Sequence, residues 1–546
     1  MLVERVILVG LSGSGKSAIA PLVAERLGFA VIDTDDEIER RLGLTVPEIF
    51  SRFGEAVFRA VECEVVEESC SRARVVIATG GGSVLDEANW AAMRPGSVIV
   101  HLLGSTDVLV RRLHQAVDGE PSRTRPLLAG DAAGRLARLW EERREYYARA
   151  DAMVHTDGMS PAEVAAAVVS ATRTRGSAGL VPVTSVAVPT GRSDVYVAPG
   201  SMVHVGELAT HRWPEARRAW IVSDDRVLPL WGESLAASLA RVGLATSALA
   251  VPAGESSKSM NQVQLVLDWL LSGRIERRDL VLALGGGVVG DLAGFVAAIA
   301  LRGVGLIQVP TSLLAMVDSS VGGKTGVNHE LGKNLIGAFY QPQLVVADTA
   351  VLETLPERER RAGWAEIAKH AMIERSATDS DSTALLQLIE REPDPLAFSA
   401  EALAEVVRRN VVLKARVVAL DERETGLRRL LNYGHTLGHA MEAAGYRYLH
   451  GEAVALGMRA AAMLALRLGL CDESLVERQA LLLDRLGLPA RFDGRLETVI
   501  DRLARDKKAV HGQLTWILPT GPGSVEVRGD VPLELVVGVA RELGAS

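Results

Sequence analysis

The chain has 546 residues, 48% of them hydrophobic and 23% charged, with a net charge of −8. That length supports about two to four domains with real cores, and the acidic balance leaves no overall basic footprint for nucleic acid. Its three cysteines, Cys63, Cys70 and Cys471, match no metal or disulfide framework and suit a reducing compartment.

The first element is an apolar run, Val6-Ile7-Leu8-Val9, with no signal-like segment before it. The most apolar stretch, 280–301, is interrupted by Asp291 and by glycines, which argues against a membrane span. A cytoplasmic protein is expected, without membrane or nucleic-acid partners. After Val9 comes Gly10-Leu-Ser-Gly-Ser-Gly-Lys-Ser17 and then a helical pattern. Strand, glycine-rich loop and helix in that order make a phosphate cradle. Gly13, Ser14 and Gly15 let backbone N–H groups curl around an anion, and the helix N-terminus adds the positive end of its dipole. Lys16 reaches the outer phosphates, and Ser17 is placed to hold Mg²⁺. A nucleoside triphosphate site is therefore expected near the N-terminus.

Strand-like Val31-Ile32 leads into Asp33-Thr34-Asp35, at a strand end where ligands gather in open α/β sheets. A carboxylate there can orient an acceptor hydroxyl or simply cap a helix. Arg59, in Phe58-Arg59-Ala60-Val61-Glu62, can clamp a carboxylate in bidentate fashion or serve as a solvated helix charge. Val75–Ala78 runs into Thr79-Gly80-Gly81-Gly82-Ser83, where backbone can approach a small ligand. Val98–Leu103 continues the alternation of strands and helices that builds a parallel sheet. Arg123-Thr124-Arg125-Pro126 offers cations able to close over a transferring phosphate.

Together these features, in this order, resemble shikimate kinase over roughly residues 1–172. The resemblance implies ATP with Mg²⁺ and shikimate as acceptor. It implies that Asp35 meets the shikimate hydroxyl as base, that Arg59 and Arg143 grip the substrate carboxylate, and that Gly81 makes a backbone contact. Arg125 corresponds to the lid arginine on the ATP phosphates. Arg143 lies in Arg143-Arg144-Glu145-Tyr146-Tyr147, where the family often has Arg-Ala-Pro-Leu-Tyr.

A helix-like Pro161–Ala171 is followed by the polar, glycine-containing Thr172–Gly179, which predicts a linker over 173–182. From 183 to 355 the apolar runs Trp220–Val222, Leu280–Leu284, Gly305–Val309 and Leu344–Ala347 predict a second, Rossmann-like α/β domain with buried parallel strands. Leu284-Gly-Gly-Gly287-Val-Val-Gly290-Asp291 follows one strand and opens a helix, a turn that admits a dinucleotide pyrophosphate. Gly254-Glu255-Ser256-Ser257-Lys258, Pro310-Thr311-Ser312 and Asp318–Lys324 follow apolar stretches in the same way. From 356 to 546 helical patterns such as Ala402–Ala419 and Val454–Leu470 dominate, until a strand-like Leu514–Leu518. His435 and His439, four apart in Asn432–His439, make the tempting zinc pair by spacing. Any one of these histidines alone reads more simply as a satisfied polar group. His450-Gly451-Glu452 follows closely.

From about residue 183 onward these motifs resemble 3-dehydroquinate synthase. The resemblance implies NAD⁺ against Glu255, Lys258, Gly287, Gly290, Asp291, Thr311, Ser312, Lys324 and Lys333. It also changes the metal assignment: Glu366, in Gly363-Trp364-Ala365-Glu366-Ile367-Ala368-Lys369, joins His435 and His450 around Zn²⁺ or Co²⁺, and His439 becomes a group that either supports a ligand from behind or faces the substrate. Lys324, Lys333, Asn334, Arg428 and Lys508 match positions that hold substrate phosphate and carboxylate. Lys369, one helical turn beyond Glu366, can face the same site. Ser312 stands where threonine is common, and His370 where tyrosine is common. The implied reaction is elimination of phosphate from 3-deoxy-D-arabino-heptulosonate 7-phosphate and closure to 3-dehydroquinate, with no net consumption of NAD⁺. The resemblance also suggests a homodimer through this region. A polyol dehydrogenase, the rival reading, would have no use for Lys324, Lys333 and Arg428 and would consume NAD⁺.

Overall fold

The computed structural model describes residues 4–104, 106–117, 132–147, 149–157, 159–178, 182–378, 383–392, 394–445, 448–509 and 514–546. Arg125 lies outside them, as does the side chain of Lys508. The chain divides into two compact units, Met1–Ser185 and Val186–Ser546. Among the described residues no helix is long and apolar enough to cross a membrane.

The first unit is built on a five-stranded sheet in the order Ala30–Asp33, Val75–Ala78, Arg5–Val9, Ser97–Leu103 and Ala152–His155, parallel throughout. The central strand is buried along its whole length. Alternation divides its apolar run between two layers. Val6 and Leu8 pack with Ile19 and Val164 from helices Lys16–Leu27 and Pro161–Ala178. Ile7 and Val9 pack with Val66 and Leu136 from helices Val46–Cys70 and Ala132–Tyr147. The helix that begins at Pro161 continues through Ala178, so the predicted linker over 173–182 starts inside a helix. A helix anchored by buried Val164, Ala165 and Val168 carries a single Gly176, which costs it only about 1 kcal/mol.

In the second unit a seven-stranded sheet runs in the order Thr184–Val188, Gly191–Val197, Leu344–Ala347, Gly305–Pro310, Leu280–Gly285, Arg218–Asp224 and Ala245–Val251. The pairings from Gly191–Val197 to Ala245–Val251 are parallel. Hairpin strands Lys324–His329 and Gly332–Phe339 stand apart from it. The remainder is helical except for a late hairpin, Trp516–Gly521 with Ser524–Arg528. Helix Glu357–Thr378 packs against Ala400–Leu420 and His450–Arg467. Every residue from Ala362 to Glu374 is buried, including Glu366, Lys369 and His370. Polar groups so enclosed must satisfy one another or a ligand.

Helices His435–Gly445 and His450–Arg467 approach closely because glycines line their contact. A Cβ on Gly457 would overlap the Gly434 carbonyl, and one on Gly438 would sit 2.8 Å from the Ala453 oxygen. This approach brings His435 and His450 together. Gly457→Ala is therefore expected to cost the second unit about 2–3 kcal/mol. Scanning calorimetry should show its transition lowered while that of the first unit stays in place.

Candidate active sites

In the first unit the phosphate loop has the backbone that its glycines predict: Gly10, Gly13 and Gly15 lie at φ 148°, 84° and 94°. Gly15 is the residue before helix Lys16–Leu27, so the helix N-terminus opens directly onto the loop. Lys16 is buried and donates to the carbonyls of Gly10 at 2.7 Å and Leu11 at 3.0 Å, folding over the cradle. Ser14 is buried and Ser17 is exposed at the helix start. Asp33 caps the next helix by accepting from the Asp35 N–H at 3.1 Å, which leaves the Asp35 side chain to the cleft side. The glycine loop after Val75–Ala78 lies against it: a Cβ on Gly80 would stand 2.8 Å from Asp35 Oδ1 and 2.6 Å from Glu62 Oε1, while one on Gly81 would stand 3.5 Å from the Ser12 nitrogen. Arg59 Nη1 donates to Glu62 Oε2 at 2.6 Å, and the Ser83 hydroxyl holds the other Glu62 oxygen at 2.6 Å. Arg143 Nη1 and the Tyr147 hydroxyl both donate to the Gly81 carbonyl, at 2.9 and 2.7 Å. The structure thus gathers Asp35, Arg59, Gly81 and Arg143 around one cleft beside the phosphate loop.

The second site centres on Glu366. Its carboxylate is fully buried, and neither oxygen accepts a well-aligned hydrogen bond among the described residues. His450 Nε2 stands 3.4 Å and His435 Nε2 3.8 Å from the same oxygen, Oε1. The far nitrogens are held elsewhere, His435 Nδ1 by the Tyr433 carbonyl at 3.1 Å and His450 Nδ1 by Glu442 at 3.4 Å. Two imidazoles anchored at Nδ1, with Nε2 turned to one carboxylate oxygen, form the donor set of an open, catalytic divalent-metal site. The residues therefore fit the ion. Lys369 pairs with Oε2 and, outweighing burial, holds the Glu366 carboxyl well below the usual range. Burial and then Lys369 push His435 well down, whereas Glu366 and Glu442, against burial, raise His450 to about 10.

His439 shares the helix face of His435, with ring centroids 5.0 Å apart, but it is exposed and stands at the rim. The spacing pair is thus real in the fold: one ligand nitrogen from each of His435, His439 and His450 lies within 4.8 Å of the others, and Glu366 Oε1 stands beside those of His435 and His450. Asp318, Glu366 and His370 also cluster, yet Lys369 and Lys414 lie among them and disfavour a second cation.

Three of the predicted cations, Lys324, Lys333 and Arg428, are each held by acids or backbone carbonyls of the same unit. Lys324 pairs with Glu424, and Lys333 Nζ reaches Glu442 Oε1 at 2.7 Å. Arg428 is buried, donating to the Gly322 carbonyl at 3.1 Å and the Glu422 carbonyl at 2.5 Å. Asn334 occupies the left-handed region at φ 58° and donates its N–H to Asn328 Oδ1 at 2.9 Å; Asn328 in turn donates to Glu255 at 2.7 Å. At the sheet's C-terminal edge, a Cβ on Gly286 would lie 3.4 Å from Ser312 Oγ and one on Gly287 3.0 Å from Ser319 Oγ, and Thr311 N–H binds the Gly285 carbonyl at 3.0 Å. Lys258 meets Asp291 at 2.5 Å. Gly290 serves packing, since its carbonyl accepts from Gln308 at 3.0 Å and a Cβ there would meet that side chain.

The second unit matches the models for the 3-dehydroquinate synthase N-terminal region at residues 248–362 and C-terminal region at 363–509. The synthase of Symbiobacterium thermophilum is 48% identical over 344 residues, covering 62% of this chain and 94% of the relative. The chain belongs to the 3-dehydroquinate synthase family. Residues 12–173 match the shikimate kinase model, so the chain joins a shikimate kinase domain to the synthase. Among solved structures, a 2-deoxy-scyllo-inosose synthase complexed with carbaglucose-6-phosphate, NAD⁺ and Co²⁺ is similar at TM-score 0.59 and 28% identity, covering 66% of this chain and 99% of that one. A 2-epi-5-epi-valiolone synthase from Streptomyces hygroscopicus subsp. jinggangensis, with NAD⁺ and Zn²⁺ bound, is similar at TM-score 0.56 and 30% identity, covering 65% of this chain and 98% of that one.

Several residues of these sites carried no role in the sequence reading. Glu62, three residues beyond Arg59 on one helix, was recoverable from spacing alone. Lys414 was not: it sits in an ordinary helical pattern, yet it is buried and lies 2.6 Å from Asp318 Oδ1. Asp318 falls in a single π-turn, Ala315–Ser319, a distortion frequent at functional sites. Lys414, with Lys369 behind it, holds Asp318 well below its ordinary value despite burial, and burial lowers Lys414 to about 8. Asp318→Asn leaves these buried lysines short of a counter-charge and is expected to cost about 3–5 kcal/mol near neutral pH, read by chemical denaturation. Without Asp318, which raises it, Lys414 is lowered further, so the folded variant sheds that proton at lower pH than the folded wild type. The variant's deficit should therefore shrink as pH is raised toward about 8, where the wild-type lysine titrates, and level off above it.

Proposed function

We propose that the two sites divide two reactions of aromatic biosynthesis between them, with the residue roles that follow. In the shikimate kinase unit the phosphate loop and Lys16 bind the ATP phosphates, and Ser17 serves Mg²⁺. Asp35 orients the 3-hydroxyl of shikimate and accepts its proton. Arg59, braced by Glu62, and Arg143 hold the substrate carboxylate, with Gly81 supplying backbone contact. Phosphoryl transfer needs positioning and charge neutralisation more than covalent help, and this set provides both.

In the synthase unit Glu366, His435 and His450 would hold a divalent ion, Zn²⁺ or Co²⁺, and the strand-end loops would hold NAD⁺. When bound, the ion polarises substrate hydroxyls and NAD⁺ acts as a reversible oxidant. The chain's own groups do the rest. Lys324, Lys333, Asn334, Arg428 and Lys508 take the phosphate and carboxylate of the heptulosonate phosphate. Lys369 keeps Glu366 ionised, and His439 faces the substrate from the rim. The observation that carries this reading is the convergence of both Nε2 atoms on one buried oxygen of Glu366. The same reading implies a homodimer through the synthase region. Free cysteines at 63, 70 and 471 favour a reducing, cytoplasmic setting.

Two assays on the full-length protein test this division: ADP release with shikimate, and phosphate release from the heptulosonate phosphate. Lys16→Ala should abolish the first and leave the second within about twofold of wild type. His435→Ala should do the reverse and lower bound metal. Loss of both activities in either variant, with the protein still folded, would refute the division.

A further inference from the structure

We propose that Glu442 is a positioning residue shared between the ion site and Lys333, so that Lys333 regulates how firmly His450 is held as a ligand. The inference rests on the reading of His450 as a metal ligand. Glu442 lies on helix His435–Gly445, on the face that carries His435 and His439. Its carboxylate has two partners: Oε1 accepts from Lys333 Nζ at 2.7 Å, and Oε2 faces His450 Nδ1 at 3.4 Å. The second nitrogen of His450 points to Glu366 Oε1, also at 3.4 Å. The imidazole is thus suspended between two carboxylates, one inside the ion site and one behind it. A carboxylate on Nδ1–H fixes the ring's tautomer and rotation and raises the basicity of Nε2.

Lys333 competes for this support. Its ammonium takes the shorter contact and draws the Glu442 charge toward strand Gly332–Phe339, where the side chain is 45% exposed against 13% for Glu442. Anything that occupies Lys333, such as a substrate phosphate, returns the whole carboxylate to His450. The two halves of the site are then coupled: capturing the anion tightens the ion, and by reciprocity the ion tightens the anion. If Glu442 only neutralised a surface lysine, neither substitution would alter the ion site through the other.

The test is zinc affinity, measured on full-length protein by competition with a chromophoric chelator, for wild type, Glu442→Gln, Lys333→Ala and the double variant. Glu442→Gln is expected to weaken zinc by about 10–100-fold, the usual effect of losing such a partner. Lys333→Ala should tighten zinc about threefold or more, and this gain should vanish in the Glu442→Gln background. Unchanged affinity in Glu442→Gln, or a Lys333→Ala effect that persists in the double variant, would overturn the proposal. Lys333→Ala alters an exposed side chain, so it remains informative should Glu442→Gln melt early; unchanged zinc affinity in it would also overturn the proposal. His450→Ala separates the two levels of the reading: wild-type zinc affinity there would defeat the ligand assignment itself.

Discussion

A carboxylate with no solvent exposure, set in the middle of a buried helix, is the constraint around which the synthase unit is organised. An ionised Glu366 is tolerable only where positive charge meets it. Lys369 supplies one share from the same helix, and two imidazoles from neighbouring helices turn toward the other oxygen. That demand explains the glycines between helices His435–Gly445 and His450–Arg467, since any Cβ there would push the histidine-bearing backbones apart. It also explains why the buried lysines bring further acids with them. Lys414 and Lys369 share Asp318, and the cations farther out pair with Glu424 and Glu442. The result is an alternating chain of charges with a donor set for a divalent ion at its centre and exchangeable cations at its rim.

The kinase unit solves a different electrostatic problem with backbone. Its phosphate loop uses left-handed glycines and a helix N-terminus to present N–H groups, and Lys16 brings a full charge into the cradle. The acceptor side is stiffer: Arg59 is braced by Glu62, itself held by Ser83, while Arg143 and Tyr147 both fasten the Gly81 carbonyl. Each site is assembled from residues of its own unit, which is the structural basis for treating the two reactions as separable.

Much of this was legible in the sequence because the signals were local. Val6–Val9 with the loop after it, the glycine turn after Leu284, and the apolar strands of both sheets each follow from short-range pattern and turn chemistry. The strands that escaped carry mixed or weak patterns: Gly191–Val197 is buried over its second half but opens on Gly-Arg-Ser-Asp, and Ala152–His155 is only four residues long. Ala245–Val251 is an edge strand of small residues, and Lys324–His329 with Gly332–Phe339 carries little apolar alternation. Among site residues the limits were of the same kind. The spacing of His435 and His439 suggested a zinc pair on one helix. That a buried Glu366 on another helix lies beside His435 and His450 is a tertiary fact with no local trace, and only resemblance pointed to it. Lys414 and Glu442 sit in ordinary helical patterns, and their importance comes from what folding places opposite them. The predicted linker has a similar origin: polar residues with Gly176 and Gly179 read as a break, whereas a helix already anchored on the core runs on through Ala178.

X-ray absorption at the cobalt edge of the full-length, Co²⁺-loaded protein tests the central claim most directly. One ion per chain with two imidazole nitrogens and a carboxylate oxygen among its protein ligands is the result required by Glu366, His435 and His450. A shell of three imidazoles without a carboxylate, with His439 taking the place of Glu366, would contradict it.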